Sequence, residues 1–363
     1  MLAKVSRYYR PLSGAHVDAR PNDPPPFRTQ EESMSSARPD ILERLRQEID
    51  RELRAVLERY RQPSSLYEPF AYSMEGSGKR VRPMMTVLTA SVYGCESGAA
   101  LKAGLAIEIM HTLTLIHDDI MDKAELRRGS LSVHRKWNDA TAILCGDVMM
   151  GIAYRLLLES APPAVIPDVM SLFTEGFIDV CEGQAMDLDF ASRPDVTIAD
   201  YMLMIEKKTA RLPEIAATIG AVIAGAPAAD LPLVRMFARE AGLAFQMQDD
   251  LLDVVADQDE LGKTVGQDIV EGKKTYLILR VEDLASSDAD TALIRRFYEG
   301  NGLPTDEVHA MRGLMERLGV FRETQEKIET HFARADAFLH RLPAGRGRDE
   351  LEVLVRTLHD RRK

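Results

Sequence analysis

Cysteine is scarce: Cys95, Cys145 and Cys181 are the three in 363 residues, widely spaced and without a CxxC pair. That excludes a disulfide framework and a thiolate metal site, and it fits a reducing, cytoplasmic setting. Positive charge is in deficit, with 46 Lys+Arg against 57 Asp+Glu and a formal net charge of −11. Such a chain does not hold a nucleic-acid backbone by bulk charge, so no nucleic-acid partner is expected. Long hydrophobic runs are lacking too. The longest weakly polar stretch, from Ile215 to Ala226, falls short of the roughly 20 helical residues that cross a bilayer, and no transmembrane segment is expected. The N-terminus has no signal-type apolar region. Its Lys4, Arg7 and Arg10 are diluted by Asp18, Asp23 and a Pro24-Pro25-Pro26 run that spoil a transit peptide.

Alternating β-branched runs are also scarce, and helical periodicity takes their place. Residues 1–38 are rich in Pro, Ser, Arg and Asp and read as a disordered or loosely docked tail. From Pro39 onward the chain reads as one all-α catalytic domain, residues 39–363. Ile41, Leu45, Ile49, Leu53 and Leu57 lie four apart on an amphipathic helix with Asp40 as its N-cap. Later apolar segments keep this period between short Gly/Pro/Asn clusters, which predicts a large helical bundle.

Two segments share a pattern. Thr114–Asp122 (TLIHDDIMD) and Phe245–Asp253 (FQMQDDLLD) are apolar helices that end in Asp-Asp-x-x-Asp. Asp118 and Asp122 share a helix face, with Asp119 about 100° round. Three carboxylates in two turns repel one another. Acids also belong at helix N-termini, whereas these follow long apolar runs. A solvated acidic helix end explains one such cluster. The repeat in Asp249, Asp250 and Asp253 favours hard cations such as Mg²⁺ that carry phosphate oxygens. Cations gather nearby: Lys79, Arg80 and Arg82 in GSGKRVRP, Arg127-Arg128-Gly129, Lys208-Thr209, Lys263 and Lys273. GSGKRVRP is not a nucleotide P-loop, because Ser73 replaces the earlier Gly and Arg80 the metal-binding Ser/Thr. Arg binds phosphate as a fork and Lys as a point charge.

The blocks GSGKRVRP, HTLTLIHDDIMDKAELRRG, GQAMD, EKKTARL and FQMQDDLLDVVADQDELGKTVGQDIVEGKKT occur in that order. In order and spacing the chain resembles the trans-isoprenyl diphosphate synthases, or polyprenyl synthetase family, over residues 40 to about 350. The resemblance implies an all-α isoprenoid synthase type I fold around a deep cavity, usually in a homodimer. It also implies head-to-tail condensation of isopentenyl diphosphate with an allylic diphosphate (dimethylallyl, geranyl or farnesyl), releasing pyrophosphate. By resemblance, Asp118, Asp122 and Asp249 bind Mg²⁺, about three ions per active site, with Asp119, Asp250 and Asp253 in support and Asp253 a further candidate ligand. Arg127, Lys208, Lys263 and Lys273 neutralise the allylic diphosphate, and Thr209 and Gln246 line the cationic centre. Isopentenyl diphosphate lies in a basic pocket of Lys79, Arg82, His111 and Arg128. Gly183, Gln184 and Asp187 match the middle motif of the cavity wall. His117 fits packing as well as catalysis.

Ionising an allylic diphosphate calls for charge stabilisation on the leaving group rather than a nucleophile, and for water to be kept out. The residue types suit that chemistry. Leu113 and Thr114, one turn upstream of Asp118, form the expected floor of the cavity, with no Phe or Tyr to block it. One turn rises about 5.4 Å, close to one isoprene unit, so a geranylgeranyl product of about twenty carbons is expected. Two departures are mild: Tyr276-Leu277 stands where many members have Pro, and only two residues separate Asp119 from Asp122. The alternatives are a longer-chain synthase for a quinone side chain, a class I terpene cyclase and a non-catalytic partner subunit. A cyclase has no use for the GSGKRVRP pocket, and partner subunits tend to lose an Asp cluster or that pocket.

Overall fold

The structure is a computed structural model that describes residues 30–75, 78–95, 98–255 and 266–360. It divides into the units Met1–Pro39 and Asp40–Lys363, and the site lies wholly in the second. Helix α1 spans Gln30–Arg59. Asp40 is therefore inside the helix and does not cap it, because the good helix formers Gln30, Glu31 and Glu32 carry the start further upstream. Of the expected tail, residues 1–29 lie outside the described residues.

Among the described residues the architecture is helical apart from one short hairpin. Helices α2 (Ser64–Met74), α3 (Val81–Val92) and α4 (Gly98–Met121) are followed by strands β1 (Leu126–Arg127) and β2 (Ser130–Leu131) and by α5 (Val133–Lys136). Next come α6 (Asp139–Leu158), α7 (Ile166–Phe190), α8 (Ile198–Ile205), a single π-helical turn (Glu206–Ala210) and α9 (Arg211–Ile223). Helix α10 (Leu231–Val255) precedes α11 (Gln267–Val270), α12 (Tyr276–Leu284), α13 (Asp288–Gly300), α14 (Val308–Arg317), α15 (Val320–Leu339) and α16 (Arg346–His359).

Local chemistry sets several boundaries. The Asn138 side chain accepts the Thr141 N–H at 2.8 Å and opens α6. Thr197 and Asp200 form a reciprocal capping box at the start of α8. The α7 C-terminus is closed from a distance, since the buried Lys274 ammonium donates to the carbonyls of Phe190 and Arg193. A cation there satisfies end carbonyls and the negative end of the helix dipole.

Helix α4 is the central element, packed against α3, α6 and α9, while α10 lies on α9 and α15. Both α4 and α6 are long and apolar enough to cross a membrane. The sequence reading missed them because it looked for uninterrupted apolar runs. In α4, 67% of the apolar window is buried inside the bundle, which makes it a core helix. Helix α6 is different: Ile143, Leu144 and Leu158 are exposed.

Three long helices, α4, α7 and α10, bring residues near their C-terminal ends to one place. The two Asp clusters thus sit at the negative ends of two helix dipoles, where carboxylates are disfavoured without cations.

Candidate active site

The first cluster closes α4. Burial pushes the Asp118 carboxyl up to about 6; the Lys208 charge opposes this and the Asp122 charge adds to it. Asp122 is raised as well, by burial, against the pull of Lys208 and Lys273. Asp119 behaves differently. It is 3% exposed, and its carboxylate accepts Arg127 Nε at 2.9 Å together with Nη2. One residue of helix rotation turns Asp119 away from Asp118 and Asp122. In that position it holds the Arg127 guanidinium beside the cluster.

The hairpin makes that pairing possible. Leu126 opposes Leu131 and Arg127 opposes Ser130, around a turn in which Arg128 and Gly129 have φ of 52° and 78°. An Arg at positive φ costs about 1 kcal/mol or more and persists where its surroundings hold it. Beneath the hairpin lies a cavity of about 360 Å³, whose lining includes Tyr72, Arg80, Thr112, Asp119, Arg127 and Arg128.

The second cluster is tied into the core. Asp250 accepts Tyr201 Oη at 2.6 Å and Gln246 Nε2 at 2.7 Å, and Gln246 Oε1 accepts the Thr209 hydroxyl at 2.8 Å. Burial, followed by the Asp268 charge, pushes Asp250 up to about 8 against those two hydrogen bonds. Like Asp119, Asp250 is an anchor. Asp253 is pushed up to about 6 by burial and by Asp268. Its carboxylate accepts the Asp268 N–H at 3.0 Å, and its carbonyl accepts the Gly266 N–H at 2.8 Å. Lys263 lies outside the described residues.

The cations join the two clusters. Lys208 Nζ is 2.5 Å from Asp187 Oδ2. Burial works against the Lys273 charge, but Asp268 at 3.4 Å and Glu271 at 2.8 Å hold it on, and its pKa rises. Lys273 acts electrostatically on both Asp122 and Asp253, so one cation serves both clusters.

In the second basic group, Lys79 is exposed, and Arg82 is half-buried with its pKa lowered by that burial against the charges of Glu108 and Asp249. His111 is no cation. Burial and the charges of Arg82, Arg128 and Arg127 push its pKa well below the usual imidazole value, so it joins the expected pocket as a neutral polar group. Arg80 is structural: it meets Asp50 at 2.9 Å, Glu108 at 3.1 Å and the Met74 carbonyl at 2.9 Å. His117 packs. A Cβ on Gly146 of α6 would lie 2.1 Å from its Nε2. Leu113 is 2% exposed within the core, whereas half-buried Thr114 lies on the Asp118 face and donates to the His111 carbonyl at 2.8 Å.

Sequence reasoning missed Tyr201, Asp268 and Glu271. Asp268 and Glu271 lie inside a quoted block without any distinguishing spacing, and Tyr201 is a helix residue whose partner is 49 positions away.

Carboxylates gathered near two helix ends, several with pKa values raised by partial burial, form a donor set suited to hard divalent ions. The comparisons agree with that chemistry. A family model described as polyprenyl synthetase matches residues 63–314. The chain belongs to that family. This polyprenyl synthetase is 40% identical over 233 residues to a geranylgeranyl diphosphate synthase of Sulfolobus acidocaldarius, covering 63% of this chain and 71% of that protein. It is 36% identical over 292 residues to an all-trans-nonaprenyl-diphosphate synthase of Rhodobacter capsulatus, covering 79% and 86%. A crystal structure of a geranylgeranyl pyrophosphate synthase superposes with a TM-score of 0.83 at 35% identity, covering 89% of this chain and 99% of that one. A polyprenyl synthase from Caulobacter crescentus, complexed with calcium and isoprenyl diphosphate, gives 0.81 at 29% identity, covering 89% and 98%.

Proposed function

We propose that this polyprenyl synthetase condenses isopentenyl diphosphate head-to-tail with an allylic diphosphate to give geranylgeranyl diphosphate. The observation that supports the reading most directly is the pair of Asp clusters near two helix ends, both within electrostatic reach of Lys273. Asp118, Asp122 and Asp249 would hold Mg²⁺, about three ions, with Asp253 a further candidate ligand. When bound there, the metal would supply charge stabilisation for the departing diphosphate.

The chain's own groups do the rest. Lys208, Lys273 and the Asp119-oriented Arg127 grip the allylic diphosphate, and Lys263 is a further candidate. Breaking the C–O bond sends its electron pair to the diphosphate. Thr209 and Gln246, linked by a 2.8 Å hydrogen bond, present oxygen dipoles to the allylic cation. Lys79, Arg82 and Arg128 hold isopentenyl diphosphate, beside neutral His111. Its double bond attacks the cation, and the proton leaves to the released diphosphate. The apolar bundle around α4 keeps water out.

Exposed Ile143, Leu144 and Leu158 on α6 and Ile178 on α7 support a homodimer that covers this apolar face. The three free cysteines suit a reducing cytoplasm.

The test is a product assay with Mg²⁺, isopentenyl diphosphate and each allylic primer, followed by sizing of the dephosphorylated alcohols. A single geranylgeranyl product is expected. A ladder of longer chains corrects the product length, and no condensation with any primer overturns the function.

A further inference from the structure

Residues Asp179, Gly183 and Asp187 lie four apart and form one stripe along α7. The stripe faces the π-helical turn Glu206–Ala210, which carries Lys208 and Thr209. Gly183 lets that turn come close: a Cβ there would lie 2.4 Å from the Lys208 backbone nitrogen. Asp187 takes the Lys208 side chain at 2.5 Å. Asp179 uses both of its oxygens: Oδ1 accepts from Lys207 Nζ at 2.7 Å, and Oδ2 makes an ion pair with Arg211 Nε at 2.8 Å that lacks hydrogen-bond alignment. Each cation has one further partner, Glu182 at 2.5 Å for Lys207 and Glu214 at 2.5 Å for Arg211, but only Asp179 touches both.

Lys207 and Arg211 bracket Lys208, Thr209 and Ala210. One carboxylate therefore spans the stretch in which the turn departs from α-helical winding. On the other side α10 contributes Arg239, paired with Glu206, and Gln246, paired with Thr209. π-turns persist where surrounding contacts hold them, often at functional sites.

We propose that Asp179 is a positioning residue for prenyl transfer: by bridging Lys207 and Arg211 it fixes the π-turn, so that Lys208 meets the allylic diphosphate and Thr209 faces the cationic carbon. The inference rests on the synthase reading above. Asp179 touches no substrate. It acts through the backbone between its two partners, and an aim error of about 1 Å costs on the order of a hundredfold in rate.

The proposal separates the two substrates. Lys79 lies just before α3, Arg82 on it and Arg128 in the hairpin turn, so isopentenyl diphosphate does not feel the π-turn. Asp179→Asn should lower kcat about ten- to a hundredfold and raise KM for the allylic diphosphate, with KM for isopentenyl diphosphate unchanged. Asp179→Glu, which keeps the charge, should recover most of the loss. Lys207→Met should act in the same direction, and the double variant should be no worse than Asp179→Asn alone, as two residues in one contact require.

Steady-state kinetics on the full chain read all of these. A kcat within twofold of wild type in Asp179→Asn overturns the proposal. So does an equal rise in both KM values, or fully additive losses in the double variant, since either marks a general loosening. Lys207→Met keeps the test decisive should Asp179→Asn not fold. A wild-type protein that condenses nothing sinks the synthase reading itself, whereas active wild type with undisturbed variants sinks only the role of Asp179.

Discussion

The Tyr201 hydroxyl donates to the Asp250 carboxylate across 2.6 Å, joining α8 to α10 behind the second Asp cluster. Gln246 donates to the other oxygen of the same carboxylate at 2.7 Å and receives Thr209. A chain of four side chains thus runs from buried Tyr201 and Asp250 to half-buried Gln246 and Thr209 at the proposed cationic centre, and Tyr201 is its fixed end.

Removing that end should be felt at both levels. Tyr201→Phe leaves Asp250 short of a donor in a buried place, a loss of about 1–3 kcal/mol in stability. Denaturant unfolding should record it. Turnover should fall about tenfold as Gln246 loses its aim.

Asp118→Asn and Asp249→Asn should separate activity from stability. Product formation should drop by about a thousandfold or more as metal-borne charge stabilisation is lost. The melting temperature of metal-free Asp118→Asn should hold or rise, because a carboxylate pushed up to about 6 by burial resists ionisation there. A variant that kept most of its activity would falsify the two-cluster metal site.

Stability against pH should carry a definite sign. Asp118, Asp250 and Asp253 keep their protons in the folded chain to about 6, about 8 and about 6, above the ordinary carboxyl value. Between that ordinary value and the raised ones the folded state binds more protons than the unfolded state. Without divalent ions, the stability contributed by these groups therefore falls as pH rises from about 4 to 8. Thermal melts at a series of pH values should show the decline, and added Mg²⁺ should flatten it.

Chain length should respond at two neighbouring positions in different ways. Thr114, half-buried on the Asp118 face, is the better placed floor, and Thr114→Phe should shorten the product by about one isoprene unit. Leu113→Phe should shorten it too and Leu113→Ala should lengthen it. Because Leu113 is 2% exposed in the core, the Ala variant should also lose about 2–5 kcal/mol. Chromatography of the alcohols and a melt of each variant check both statements. Unchanged products from both Leu113 variants remove it from the floor.

Residue pattern alone was enough for the helical architecture, the two Asp clusters and the order of the basic blocks. Those features are local, written in a period of about 3.6 residues and in charges that packing does not ask for. Mixed-polarity helices were harder. Helix α4 carries Glu108 and Asp118 among apolar residues, so a search for unbroken runs passed over a segment that the fold buries as its core. The start of α1 at Gln30 also escaped, since Asp40 offered a plausible cap.

Which member of each cluster does what was decided only in three dimensions. Asp118 and Asp119 are chemically identical neighbours, yet helix rotation and the hairpin set one beside Asp122 and Lys208 and the other against Arg127. The same holds for Asp249 and Asp250, told apart by a Tyr that is 49 residues away from Asp250. His111 reads in sequence only as a member of the basic pocket, and burial and the arginines around it lower its pKa well below the usual imidazole value. The sequence by itself determined residue types, their order and their local period. Burial and long-range partners decided charge state and aim, because both depend on what the folded chain brings alongside, and no spacing along the chain records that.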